Sequence, residues 1–331
     1  MTNKKILIIA PAWIGDLIIC AAFIKALKNN QNNTIDILVN SNLVNVANLI
    51  PGLRNVIPSE TEHGKLSLSY RIKMGLSLRS ESYNECYILT NSYKSAIIPF
   101  IARINKRISY LGEFRYGLIN IIKKPIDRKL GMVNRYLNLI NQKYTSKVNP
   151  VLNIRPKKEL ISSKFKFDGK YIVFCPDAEY GSAKRWPTNK WMNLAIELSH
   201  LYKVIIVGLD YSIGDEFKSL ESDKIINLIG KTNLVEVMEI IALSEGVVSN
   251  DSGLMHIASA LDIPLLALFG PTSPEFTPPL GEKSEIIRKV EGYMKLRKGD
   301  LPGGYHSSLF SIKPKETIDK LESMEKIFIS F

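Results

Sequence analysis

The sequence predicts an α/β protein of two doubly wound domains with an interdomain cleft. Three observations carry this. Short β-rich apolar runs alternate with longer amphipathic runs through both halves, the pattern of helices layered on parallel sheets. At 331 residues the chain is long enough for two domains, each with its own core. Between the halves, Pro150 and Pro156 with the basic residues Arg155, Lys157 and Lys158 mark a linker. The expected domains are therefore 1–150 and 151–331.

In the first half, residues 5–10 read as a strand, 11–14 as a loop and 16–28 as a helix, followed by a strand at 35–39. Residues 59–84 are rich in Ser, Lys and Glu with weak periodicity, and read as a mobile loop with a short helix. Weaker strands at 85–89 and 107–111 flank a helical run at 95–104. In the second half, strands are expected at 171–175, 204–208, 246–249 and 265–269, and helices at 189–201, 234–243 and 254–261. Asn233 and Glu236 have the spacing of a capping box. Residues 315–331 read as a last helix, able to pack back on the first domain.

Composition narrows the function. Hydrophobic residues make up 45% and charged residues 23%, the balance of a globular chain. No run approaches the about 18 apolar residues that span a bilayer. The start, Lys4-Lys5 then ILIIA, hints at a signal peptide, but Pro11, Trp13, Gly15 and Asp16 interrupt it, so a first strand and a cytoplasmic protein are expected. Cys20, Cys86 and Cys175 lie in apolar runs without metal-ligand spacing and read as buried thiols. The charge is uneven. Residues 1–150 hold 21 Lys and Arg against 8 Asp and Glu, whereas residues 151–331 hold 23 against 24. The first half is thus suited to an anionic partner: nucleic acid, a membrane surface or an acidic substrate.

Ligands of doubly wound sheets bind beyond the C-terminal strand ends, and the candidate motifs lie in such loops. Gly15 and Asp16 follow the first strand and open a helix. Asp16 can cap that helix or act as a general base. In PDAEYGSAKRWP, 176–187, the cations Lys184 and Arg185 either hold phosphate oxygens or form a solvated pair. In NDSGLMH, 250–256, Gly253 permits close approach and the following helix offers free N–H groups to a diphosphate. Asp251 and Ser252 can bond sugar hydroxyls, and His256 is either structural or a ligand for phosphate or hydroxyl. Thr272, in the rigid loop Pro271-Thr272-Ser273-Pro274, belongs to the same sheet edge.

Other chemistries lack their signatures. Gly230-Lys231-Thr232 ends like a phosphate loop, but position 225 is Ile rather than Gly. There is no GxGxxG, no pair of aspartates one residue apart, and the four histidines His63, His200, His256 and His306 are scattered.

Taken together, AWIGDLI at 12–18, AKRWP at 183–187 and NDSGLMHIASAL at 250–261 resemble the ADP-heptose lipopolysaccharide heptosyltransferases. LTNSYKSAIIPF at 89–100, YLGEFRYGLIN at 110–120 and FGPTSPEFTPPL at 269–280 resemble their heptosyltransferase II branch, within glycosyltransferase family 9. The resemblance runs from residue 4 to about 320. It implies the GT-B fold, an inverting transfer from ADP-L-glycero-D-manno-heptose to the heptosyl-Kdo2-lipid A inner core, and neither metal nor cofactor. It implies Asp16 as catalytic base, Lys184 on the donor phosphate and Asp251 on the heptose, with Ser252, Gly253, Leu254 and His256 lining the donor pocket. Gly15, Arg185 and Thr272 are further donor candidates. Three acidic residues, Asp210, Asp215 and Glu216, compete for the ribose. The basic first half would face an anionic acceptor at the inner membrane, through Lys94, Arg103, Lys106, Arg107 and Arg115, with no nucleic acid involved. A heptosyltransferase with another core acceptor, and a nucleotide-sugar epimerase of similar architecture, are the alternatives.

Overall fold

Each half of the chain builds a six-stranded, wholly parallel sheet. The structure is a computed structural model and describes residues 3–30, 32–61, 64–165 and 167–324. The chain divides into two compact units, 1–152 and 153–331.

The N-terminal unit runs β1 (Lys5–Ile9), α1 (Ile14–Asn30), β2 (Thr34–Asn40), α2 (Val44–Ala47), β3 (Asn55–Ser59), α3 (Leu68–Ser77), β4 (Glu85–Ile88), α4 (Ile97–Ile101), β5 (Lys106–Tyr110), β6 (Ile121–Lys123) and α5 (Gly131–Leu137). Its strand order is β3-β2-β1-β4-β5-β6. In β1, Ile8 stands beside Ile37 on one side and Tyr87 on the other. A strand flanked on both sides and covered on both faces must be apolar throughout, as KILII nearly is. Over it, α1 packs on α5 and buries Leu17, Cys20, Phe23 and Ile24 completely.

The C-terminal unit runs α6 (Lys158–Phe165), β7 (Tyr171–Cys175), α7 (Thr188–Leu198), β8 (Lys203–Ile206), α8 (Tyr211–Phe217), β9 (Ile225–Asn227), α9 (Leu234–Ala242), β10 (Gly246–Asn250), α10 (Gly253–Ala260), β11 (Leu265–Phe269), β12 (Ser284–Arg288), α11 (Ser307–Phe310) and α12 (Pro314–Ser323). The order β12-β11-β10-β7-β8-β9 repeats the first sheet's winding. Trp186, Trp191 and Phe174 form the aromatic heart of its core, with neighbouring ring centroids 5.2 Å apart. The capping box at Asn233 and Glu236 is made in both directions and opens α9.

Four strands were not anticipated: β3, β6, β9 and β12. They are the four sheet edges. The short helix expected within residues 59–84 is α3, residues 68–77. The last helix ends at Ser323 and packs on α7; residues 325–331 of the expected helix lie outside the described residues. In both sheets the winding reverses between the first and fourth strands of the unit. The two topological switch points, where such sheets bind ligands, are thus at the ends of β1 and β4 and of β7 and β10.

Candidate functional site

At the C-terminal switch point, Asn250 ends β10 and is fully buried. Its side chain donates to Pro176 O at 2.6 Å and accepts from Trp186 N at 3.1 Å. One residue thereby fixes both ends of the 176–187 loop to the central strand. Trp186, fully buried on Trp191, anchors that loop in the core and is not a ligand surface.

The next residue, Asp251, is 4% exposed. One carboxylate oxygen, Oδ2, lies 2.6 Å from Lys184 Nζ and accepts from Thr272 Oγ1, also at 2.6 Å. Loops following three different strands, β7, β10 and β11, thus meet on a single atom. Three sequence candidates, Lys184, Asp251 and Thr272, are brought together. Ser252 precedes α10 in extended conformation, and its side chain makes no capping bond. The first N–H groups of α10, from Gly253, Leu254 and Met255, therefore lack a side-chain cap, beside the Lys184 ammonium.

His256 lies one turn into α10 and is buried. Burial pushes its pKa down to about 4; the Asp251 carboxylate raises it and the Lys184 charge lowers it. At neutral pH the imidazole is uncharged, so His256 can offer a hydrogen bond but no positive charge.

Arg185 points away from this cluster. Its Nη2 pairs with Asp177 at 2.8 Å and Asp210 at 3.0 Å. Asp177 Oδ2 also accepts from the backbone N–H groups of Leu209 and Asp210, tying the ends of β7 and β8. Asp177 is a residue that sequence reasoning missed. Asp210 caps α8, and its bond from Ser212 holds its carboxyl below the usual range. Asp215 and Glu216 lie within α8 and are exposed, Asp215 paired with Lys218.

At the N-terminal switch point, Gly15 and Asp16 sit in the first turn of α1, both half-buried. Asp16 lines a cavity of about 400 Å³ with Lys94, Arg71 and Arg135, and among the described residues it is the only carboxylate in that lining. Arg71 is 6% exposed and donates to Leu66 O and Lys94 O, fixing the backbone that carries Lys94. Arg135 stacks its guanidinium 4.3 Å over the Tyr110 ring. Arg71 and Arg135 stand in stretches without any local motif, and only the fold gathers them.

The other cations predicted for this half are not in the cavity. Arg115 is fully buried and donates to Ser92 O, Ser95 Oγ, Ser109 Oγ and Tyr110 O at 2.7–3.2 Å. Burial drives its pKa to about 10. It is bound up in holding the loops after β4 and β5. Arg107 donates to Leu118 O and Ile104 O, both at 2.6 Å. Lys106 starts β5 and pairs with Glu85 at the opposite end of the sheet from the cavity. Arg103 ends its helix in the left-handed region, exposed.

Cys20, Cys86 and Cys175 are free and buried. Among the described residues there is no group of three or more His, Cys, Asp or Glu able to hold a metal, and no helix long and apolar enough to cross a membrane.

Comparison with known proteins agrees with this architecture. A family profile, glycosyltransferase family 9 (heptosyltransferase), matches residues 71–306. The chain is 38% identical to lipopolysaccharide heptosyltransferase 2 of Salmonella typhimurium, over 97% of this chain and 98% of that one. It is 38% identical to lipooligosaccharide heptosyltransferase 2 of Haemophilus influenzae, over 97% and 99%. Among solved structures, the Escherichia coli ADP-heptose lps heptosyltransferase II superposes with a TM-score of 0.84 at 34% identity, covering 97% of this chain and 98% of that one. The expected GT-B fold is therefore the fold found. The chain belongs to glycosyltransferase family 9, the heptosyltransferases, and is a glycosyltransferase.

Proposed function

We propose that this protein transfers L-glycero-D-manno-heptose from ADP-heptose to the heptosyl-Kdo2-lipid A inner core of lipopolysaccharide, with inversion and without a metal. The names carried by its relatives support heptosyl transfer in lipopolysaccharide, and that of the Escherichia coli structure supports ADP-heptose as donor. The observation that carries the chemistry is the meeting of Lys184, Asp251 and Thr272 beside the uncapped start of α10. A cation and free helix N–H groups at a switch point suit a diphosphate.

The C-terminal unit is read as the donor domain. Lys184 and the amides of Gly253 and Leu254 stabilise charge that grows on the leaving ADP, the work a metal does in other transferases. Asp251 acts chiefly by ordering Lys184 and Thr272. His256 gives a neutral hydrogen bond. Among the acidic candidates for the ribose we assign Asp210, which follows β8 at the sheet edge where Asp177 and Arg185 also lie.

The N-terminal unit is read as the acceptor domain. Arg71, Lys94 and Arg135 suit the carboxylates and phosphates of the acceptor, and the basic excess suits an anionic membrane surface at the cytoplasmic face. Asp16 takes the proton from the acceptor hydroxyl as its oxygen bonds to the anomeric carbon. The bond from that carbon to ADP breaks on the opposite face, and ADP leaves with the electron pair. Asp16→Asn tests the reading. General-base catalysis is worth about 10²–10⁴-fold, so turnover should fall at least about a hundredfold while ADP affinity holds. Unchanged turnover removes Asp16 as base.

A further inference from the structure

Both cations that the sequence offers for the donor are already paired. Lys184 is 2.6 Å from Asp251, and Arg185 is held by Asp177 and Asp210. A nucleoside diphosphate carries more negative charge than a neutralised pair can answer. Two further exposed cations of this unit, Lys295 and Arg297, lie on the segment between β12 and α11.

That segment is strapped across the strand ends. Met294 N donates to Pro271 O at 2.8 Å, joining it to the loop that carries Thr272. Ala183 N donates to Arg297 O at 3.2 Å, joining it to the loop that carries Lys184. Gly181 makes the second junction possible. Its φ is +151°, and a Cβ there would lie 2.2 Å from Arg297 O. The strap closes on itself through Gly299 N to Gly304 O and Leu301 N to Tyr305 O. Its backbone is thus pinned to both loops of the donor cluster.

The pinning brings three cations round one ring. Lys184 Nζ is 5.4 Å, Lys295 Nζ 5.9 Å and Arg297 Cζ 5.3 Å from the centre of Tyr180. Ring contacts offset part of their mutual repulsion. Lys295 and Arg297 are exposed, and among the described residues neither forms an ion pair. Two unpaired cations beside the Lys184–Asp251 pair suit a multivalent anion.

We propose that Lys295 and Arg297, held against Tyr180 beside Lys184, form a clamp for the diphosphate of the nucleotide-sugar donor. This rests on the reading of the C-terminal unit as the donor domain. Arg297 supplies a planar fork for two phosphate oxygens, and Lys295 a second charge. The clamp answers diphosphate rather than nucleoside.

Calorimetric titration of the full chain with ADP, AMP and adenosine tests this, using wild type, Lys295→Ala, Arg297→Ala, the double variant and Arg297→Lys. A charge-assisted contact to phosphate is worth about ten- to a hundredfold in affinity. Each alanine variant should lose about tenfold or more for ADP, less for AMP and nothing for adenosine, and Arg297→Lys should recover part of the loss. Both side chains are exposed, so the urea midpoints should match wild type. Wild-type ADP affinity in the double variant overturns the clamp alone. Unchanged ADP affinity with a raised acceptor KM overturns it too, and reassigns the cations to the acceptor. A wild type that binds no ADP overturns the donor reading itself, and the clamp with it.

Discussion

His256 gives the C-terminal unit a specific acid sensitivity. Its imidazole is buried and its pKa is depressed from 6.5 to about 4. A base with a depressed native pKa binds fewer protons folded than unfolded over that interval. Stability contributed by the neutral ring is therefore fully present above about pH 6.5 and is lost as pH falls toward 4. At 1.36 kcal/mol per pKa unit the loss amounts to about 3 kcal/mol, a large share of a typical domain's stability. His256→Gln removes the titration and keeps a polar side chain. Urea unfolding followed by tryptophan emission reads the relevant unit, since Trp186 and Trp191 are fully buried in it while Trp13 is 46% exposed in the other. Carboxylates titrate in both proteins, so the informative quantity is the difference between them. Wild type should lose about 3 kcal/mol more than His256→Gln between pH 6.5 and 4. Parallel loss in the two proteins would refute a buried, neutral His256. It would also restore the possibility of a charged imidazole facing phosphate.

Two further outcomes follow from the geometry. Asn250→Ala should destabilise the C-terminal unit by about 2–4 kcal/mol, because Trp186 N and Pro176 O are left buried without their partner; the shift in urea midpoint measures it. Arg135→Ala and Lys94→Ala should each raise the acceptor KM about tenfold and leave donor KM unchanged, the reverse of the pattern expected for Arg297→Ala; steady-state kinetics with each substrate varied in turn separates them.

Legibility in the sequence followed burial. The inner strands, such as KILII of β1 and LLALF of β11, are apolar on both faces and read without ambiguity. The edge strands do not. β6 and β9 have three residues each, β3 contains Pro58, and β12 is SEIIR with its charges at the rim. An edge strand has one neighbour and a solvated side, so it needs neither length nor apolarity. The same logic governs the site. Lys184, Asp251 and Thr272 were legible because each follows a strong strand in a chain whose winding sends those loops to one place. Arg115 misled, since an arginine in a basic half reads as surface, whereas four backbone and hydroxyl acceptors have drawn it inside. Arg71 and Arg135 were invisible because no local spacing relates them, and the Tyr180 cluster because it forms only through the strap's bonds to the loops of Thr272 and Lys184.

Asp251 changes meaning most. From sequence it was a sugar-binding carboxylate. In the structure it is nearly sealed from solvent and tied to Lys184 and Thr272 through Oδ2, so it also joins the loops that carry them.

The most direct test of the account is incubation of the purified chain with ADP-heptose and heptosyl-Kdo2-lipid A in excess EDTA, read by product mass. The account predicts an acceptor heavier by one heptosyl unit and stoichiometric release of ADP. Consumption of ADP-heptose without acceptor, transfer only to a different core acceptor, or activity that EDTA abolishes and Mg²⁺ restores would contradict it.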